Sequence, residues 1–498
     1  MAPRNDKKNR KGKGAVTASF RGGRGDGGTD ELASALRHHR AGRLREAEKG
    51  YRTVLQRFPD EVDVQCNLGA ALYGQERLVE AKAVLRRAIA CNPGHASAHF
   101  NLGNTLKGLG RIDEAVESYL RTVSLNPRHG AAHFNLGNVL FEQGELDHAA
   151  EHYRAVLAVN PNHAGALLNL GNVLKKRGNL DESLDIQENL LAIDPENAAA
   201  HYNRGIICKA LKRIDEALAS FRRAADIDPG NGMIFTNMAH ILKDQGRSDE
   251  ARACFRRVLE IDPENVSAQH FMAALAGDTT ERAPKAYVKS LYDGYAHEFD
   301  HLLVEKLGYA IPSILRNIFD GLIEREKRFG NALDLGCGTG LAGAAFRSLC
   351  DRLTGVDIST EMVAKAREKD LYDCLNVADL VEFLSEREER YHLFLATDVF
   401  IYTGNLEPVF SLVSRRSHEG AYFAFSTERC SVNPFLLGQE GRYAHSVDYI
   451  GNLAADHDFA VDLCRPAVIR KERNVSVEGN IFVLRYGSSR GDDGAVSS

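Results

Sequence analysis

The chain has 498 residues, of which 44% are hydrophobic and 26% charged, with a formal net charge of −5. This is ordinary globular composition, long enough for two or three domains, and its acidic balance speaks against a folded surface built for phosphate backbones. No apolar run reaches the roughly 18 residues of a membrane-crossing helix, and the nine scattered cysteines, without a C-x-x-C pair, point to free thiols in a reducing, cytoplasmic setting.

Residues 1–27 are rich in Gly, Lys and Arg, with eight Lys/Arg against one Asp up to Gly25. With almost no apolar content such a segment is expected to be disordered. It reads either as an arm for RNA or an acidic partner, or as a solubilising tail. No apolar stretch follows the basic residues, so it is not a secretory signal.

Residues 28–265 repeat. Pro59, Pro93, Pro127, Pro161, Pro195, Pro229 and Pro263 step by 34, as do Gly69, Gly103, Gly137, Gly171 and Gly205, and as do Ala47, Ala81, Ala115, Ala149, Ser183, Ala217 and Ala251. The small residues mark places where two helices approach closely, and the prolines stop the second helix of each unit. Gly42, Gly110, Gly144, Gly178 and Gly246 fall at the turn inside a unit, where a positive φ ends the first helix. The pattern resembles the tetratricopeptide repeat, which implies an α-solenoid of seven units.

Asn67, Asn101, Asn135, Asn169, Asn203 and Asn237 recur at the same step, and Asn104, Asn138 and Asn172 form a second column. Asparagine is a poor helix former, so repeated use wants a reason. The columns resemble the asparagine ladder of O-linked N-acetylglucosamine transferases, implying a protein or peptide partner on the concave face; inheritance from the repeat consensus is the other reading. His95/His99 and His129/His133 also step by 34 and lack an accompanying Glu, so no metal site is expected.

Residues 266–276 read as a capping helix and GDTTERAP (277–284) as a linker, together 266–284. From 285 to 487 the period vanishes. Aromatic-rich helical segments come first (287–303 and 307–319), then short apolar strands alternating with amphipathic stretches, as in βαβ units. Residues 488–498 read as a loose tail.

The strongest motif is ALDLGCGTGLAG (332–343), an apolar strand running into Asp334 before Gly336, Gly338 and Gly340 open a helix. A second strand ends in Asp357, a third in Asp379, and a fourth contains Asp398. This region resembles the class I S-adenosylmethionine (SAM)-dependent methyltransferases, particularly the bacterial predicted methyltransferases that carry tetratricopeptide repeats. The resemblance implies a doubly wound Rossmann-like α/β domain with SAM as cofactor. Asp334 and the three glycines would flank the methionine part, Asp357 would hold the ribose, Ile358 would pack on adenine, and Asp379 with Leu380 would meet its amino group and ring.

The end of the fourth strand, TDVFIY (397–402), lacks the Pro-Pro and Pro-Cys motifs of base methyltransferases, which again disfavours nucleic acid. Tyr292, Tyr295, Phe299, Asp398 and Tyr402 are candidates for the acceptor pocket, the aromatics reading equally as core packing. His445, in GRYAHS (441–446), is the histidine placed like a general base, with a structural hydrogen-bonding role as its alternative. The sequence thus points to methyl transfer to a small-molecule, glycan or protein acceptor recruited by the solenoid. A repeat scaffold with a vestigial SAM fold is the competing class, and nothing after 285 supports sugar-nucleotide chemistry.

Overall fold

The computed structural model describes residues 28–324, 327–431, 434–472 and 475–487. The basic segment 1–27 and the tail 488–498 lie outside the described residues. The chain divides into two compact units, at Pro229/Gly230. That boundary falls one repeat before the 34-residue period ends.

Helix pairs run from α1 (Gly28–Arg40) and α2 (Leu44–Arg57) to α13 (Gly232–Asp244) and α14 (Ser248–Ile261). Six pairs belong to the first unit and the seventh to the second. The small-residue column does what its spacing requires. A β carbon on Gly103 would come 2.6 Å from the Tyr119 ring, and one on Gly137 would come 2.9 Å from Tyr153. Both tyrosines are fully buried on the second helix of their pair.

The histidines of the repeat cap helices. The Ala98, Ala132 and Ala166 N–H groups donate to Nδ1 of His95, His129 and His163, each at 3.1 Å. At the same step Asn197 and Asn265 accept from Ala200 and Ala268 with their side-chain oxygens. The i+4 partners His99 and His133 donate from Nε2 to the carbonyls of Pro93 and Pro127, at 3.0 and 3.1 Å. The paired histidines therefore close helix ends and the preceding proline turn.

In the second unit α15 (Val266–Ala276) and α16 (Lys285–Tyr295) lead to α17 (Ile311–Leu322) and a mixed sheet. Its strands are β1 (Phe329–Leu335), β2 (Cys350–Asp357), β3 (Cys374–Val377), β4 (Tyr391–Ala396), β5 (Ser417–Arg429), β6 (Phe435–Leu437), β7 (Tyr443–His445), β8 (Phe459–Glu472) and β9 (Val475–Tyr486). The parallel core has the order β3-β2-β1-β4-β5. Antiparallel β9 continues it beside β5 and pairs in turn with β8, while the β6–β7 ribbon joins the end of β5.

Strand residues alternate between two apolar layers, as a sheet covered on both faces demands. Leu333, Leu335, Phe394, Phe423 and Phe425 enter one layer. Ala332, Leu393, Leu395, Tyr422 and Ala424 enter the other, with Phe319 and Phe346. Connections pass to either side of β1, so a crevice opens at its carboxyl end, where such sheets bind ligands.

The close approach in the repeat is testable. Gly103→Val should destabilise the protein by about 1–3 kcal/mol through overpacking against Tyr119, seen as a lower melting temperature by circular dichroism. An unchanged melt would remove that contact as a constraint.

Candidate functional site

At the carboxyl end of β1 the chain makes three left-handed glycine turns, Gly336, Gly338 and Gly340, with φ of +68°, +53° and +95°. A β carbon on Gly336 would strike Val399 at 2.5 Å, whereas one on Gly338 would find Phe299 no nearer than 3.8 Å. The first glycine is thus needed for packing, and the second leaves bare backbone facing a cavity. Gly340 caps α18 (Leu341–Phe346) beside Tyr372 and does not line the cavity.

The cavity has a volume of about 240 Å³. Asp357, the last residue of β2, lies on its wall and fixes the glycine turn: Oδ2 accepts from Gly338 N at 2.9 Å and Oδ1 from Ser359 N at 2.8 Å. Burial pushes its carboxyl above the usual range although these N–H groups oppose the shift. A carboxylate has about four acceptor positions, and with the Ile358 N–H also directed at it some acceptor capacity remains for a ligand. Ile358 and Leu380 also line the cavity.

Asp334 is fully buried behind the turn. Tyr372 OH donates to its Oδ2 at 2.7 Å, while Oδ1 has no protein partner. Burial is the main cause that pushes its carboxyl up to about 7.

Asp379 is placed one step differently from its sequence reading. β3 stops at Val377, and Asp379 instead caps α20 (Leu380–Glu386), accepting from Val381 N and Glu382 N at 3.2 and 3.3 Å. Arg282 donates to its other oxygen at 2.7 Å, and Lys285 lies 3.2 Å away. Despite the opposing effect of burial, these partners hold the carboxyl below its ordinary value. The carboxylate is on the cavity wall but already engaged.

Residues 277–284 are built into the domain. Arg282 forms a bridge with Thr403, Ala283 is buried, and Glu281 O accepts from Gly404 N and Asn405 N at 2.8 and 2.9 Å. The helix before this segment packs on the turn that leads into Arg442. His270 on α15 donates from Nε2 to Gly441 O at 2.9 Å, and Phe271 sits where a β carbon on Gly441 would come within 2.7 Å. Lys243 of α13 pairs with Glu440. Rings then follow one another from Phe271 to Tyr287 at 5.6 Å, to Tyr402 at 6.3 Å and to Tyr292 at 5.7 Å.

Of the acceptor candidates, Tyr292, Phe299, Asp398 and Tyr402 line the cavity. Tyr295 does not; it is 51% exposed. Asp398 follows β4 rather than lying in it, with a left-handed φ of +58°. His445 is corrected outright. It is fully buried and off the cavity wall, and its Nε2 hydrogen-bonds Thr403 O and Gly404 O at 3.0 Å each. Burial lowers its pKa to about 4. The ring ties β7 to the loop after β4 instead of serving as a base.

Of the cations on the wall, Arg442 lies in the GRYAHS segment that the sequence offered for the acceptor pocket, whereas Arg470 carried no signal. Arg470 on β8 is nearly enclosed and donates to Asp398 at 2.8 Å, to Glu472 at 2.7 Å and to Glu428. Arg442 donates to Glu472 at 2.5 Å and lies 3.3 Å from Glu428. Arg470 and Glu472 fall outside any motif, and only the antiparallel β8–β9 extension brings them to the crevice.

The asparagine column is less available than its periodicity implied. Asn67, Asn101 and Asn203 are buried. Asn135 and Asn169 donate to Asn104 and Asn138 at 2.8 Å, and those acceptors also receive Tyr119 and Tyr153 hydroxyls. Asn237 donates to Met233 O on its own helix. At these rungs the amides bond repeat to repeat or within a helix.

Tetratricopeptide-repeat family models match residues 32–96, 100–164, 142–195, 168–232 and 209–275, and a methyltransferase-domain model matches residues 333–423. A malonyl-[acyl-carrier protein] O-methyltransferase of Hamiltonella defensa is 24% identical over 149 residues, which are 30% of this chain and 54% of that protein. The chain thus spans about half the length of that curated relative. Among solved structures, YrrB, described as a TPR protein with an unusual peptide-binding site, is 21% identical, covering 37% of this chain and 96% of its own with a TM-score of 0.34. A tetratricopeptide repeat protein from Parabacteroides merdae is 18% identical, with 50% and 98% coverage and a TM-score of 0.36.

His445 generates a pH prediction. Its unfolded imidazole titrates near 6.5 and its folded one near 4. Between these values the unfolded chain binds a proton that the folded chain refuses, so its contribution to stability falls as pH falls through that window. His445→Gln should lower the melting temperature at pH 7 but flatten the loss between pH 6.5 and 4. An unaltered slope would contradict the buried neutral ring.

Proposed function

We propose that this chain, tetratricopeptide repeats joined to a methyltransferase domain, transfers a methyl group from SAM to an acceptor that the repeats recruit. The observation that carries the reading is Asp357. It stands at the carboxyl end of β2 beside the switch point, holds Gly338 N, and keeps acceptor capacity toward the cavity. That is what a pair of ribose hydroxyls requires. The bare backbone of Gly338 fits the same ligand, and Asp334, buried behind the turn, acts on it only through its charge.

In this reading Asp357 binds the ribose, Ile358 and Leu380 contact the adenine, and the turn 336–340 accommodates the methionine part. Bound SAM supplies a methyl carbon already activated by its sulfonium. The protein then has to orient the acceptor and exclude water. Tyr292, Phe299 and Tyr402 form the apolar boundary for that work, and Asp398 is the carboxylate beside it. The repeats, a fold that commonly holds peptides or proteins, bring the acceptor or its carrier.

Calorimetry of the full chain should show binding of SAM and of S-adenosylhomocysteine. Asp357→Ala should weaken both by about 1.5–3 kcal/mol, as expected for lost charge-assisted hydrogen bonds. Unchanged affinity in a folded variant would refute the ribose assignment.

Asp334 adds a pH dependence. Its carboxyl is largely protonated below about 7, and a cationic ligand favours the ionised form. SAM affinity should therefore rise as pH passes upward through 7, and Asp334→Asn should remove that rise. A pH-independent wild-type affinity would separate Asp334 from the ligand.

A further inference from the structure

We propose that the cavity wall formed by Asp398, Glu472, Tyr292 and Tyr402 is a subsite for a small organic ammonium group, so that the methyl acceptor is a primary or secondary amine. The proposal rests on the methyl-transfer reading of this cavity and names its acceptor class.

Charge bookkeeping is the first argument. Arg470 is committed to Asp398, Glu472 and Glu428, and Arg442 to Glu472 and Glu428. Two guanidiniums therefore face three carboxylates. The other cations on the wall, Arg282 and Lys285, are paired with Asp379. Each cation on the wall already has a carboxylate partner, and a carboxylate-bearing acceptor would have to displace one. A cation instead meets an excess of negative charge. Burial pushes the carboxyls of Asp398 and Glu428 upward even with both arginines beside them. The arginines hold the Glu472 carboxyl below its ordinary value despite its burial, so Asp398 is the wall carboxylate whose charge burial still disfavours, and an ammonium beside it would offset that cost.

Shape is the second argument. The Tyr292 and Tyr402 rings meet edge to face at 5.7 Å on the same wall. Aromatic faces beside a carboxylate are the surroundings that attract an organic cation. Asp398 lies just beyond the end of β4, beside the switch point, and its left-handed backbone and Arg470 contact fix the carboxylate there.

The chemistry closes. An ammonium must lose a proton before its nitrogen can act as a nucleophile. Asp398, with its raised affinity for protons, accepts that proton. The freed nitrogen lone pair forms the new N–C bond as the carbon–sulfur electron pair returns to sulfur.

The test uses the full-length protein saturated with S-adenosylhomocysteine, at fixed ionic strength, with propylammonium chloride, sodium propionate and 1-propanol as probes. Propylammonium should raise the melting temperature and bind by calorimetry with a constant on the order of millimolar, the range open to so small a ligand. Propionate and propanol should do neither. Asp398→Asn should weaken propylammonium by about tenfold or more and leave S-adenosylhomocysteine affinity intact. Asparagine tolerates the left-handed backbone and can still accept from Arg470. Tyr402→Leu should weaken the same probe and serves as the second variant. Binding of propionate in preference to propylammonium would overturn the proposal and give the guanidiniums to the acceptor, and binding of neither probe would overturn it too. Failure to bind S-adenosylhomocysteine would instead sink the methyl-transfer reading beneath it. The same probes without that nucleoside test the subsite separately.

Discussion

The hydrogen bond from Gly338 N to Asp357 joins two strands' worth of architecture at one point. Gly338 belongs to the turn after β1, and Asp357 closes β2, its parallel neighbour. The turn also leans on β2 through Gly336 N and Cys337 N, which both donate to Val356 O. A side chain on Gly336 would meet Val399, beyond β4. The cavity floor therefore requires three adjacent strands in register. This is why a glycine-rich turn becomes a ligand site only within the βαβ sheet.

The roof comes from residues that precede the sheet. Asp293 accepts from Ser359 Oγ at 2.6 Å, Lys289 donates to Thr360 at 2.9 Å, and Lys369 donates to Asp300 at 2.6 Å. Together with Arg282 on Asp379 these polar links hold α16 and its flanks over the crevice. They are partly exposed, so each contributes modestly, and their joint effect is positional. Below them, α15 fixes the turn at Gly441 that leads into Arg442. The capping helix, with Lys243 of the seventh repeat on Glu440, thus positions the loop that carries Arg442 within one compact unit.

The repeat was legible because packing enforces its spacing: a small residue opposite Tyr119 or Tyr153 recurs whenever the helix pair recurs. The glycine turn and Asp357 were legible for a similar reason, since one short stretch contains both the backbone requirement and the acid. Periodicity misled at the asparagines, where the amides fasten repeats or helices. It also left the capping role of His95, His129 and His163 unseen, because imidazole at a helix start is an uncommon solution. Linker-like composition concealed residues 277–284, of which Thr279, Thr280, Glu281 O and Arg282 bond to the domain. His445 looked like a base because sequence gives proximity to the last strands but not burial. The Arg470 cluster depends on long-range pairing of β5, β8 and β9, which leaves no local signature.

On the proposed methyl-transfer reading, SAM would occupy a cavity whose floor is the turn 336–339 with Asp357 and whose roof is the segment 282–303. Hydrogen–deuterium exchange of the full chain with and without S-adenosylhomocysteine tests both halves at once. Protection should rise in 334–340, 357–359 and 379–382, and also in 282–303. Protection confined to other parts of the sheet, or no change in any of these segments at saturating ligand, would contradict the account.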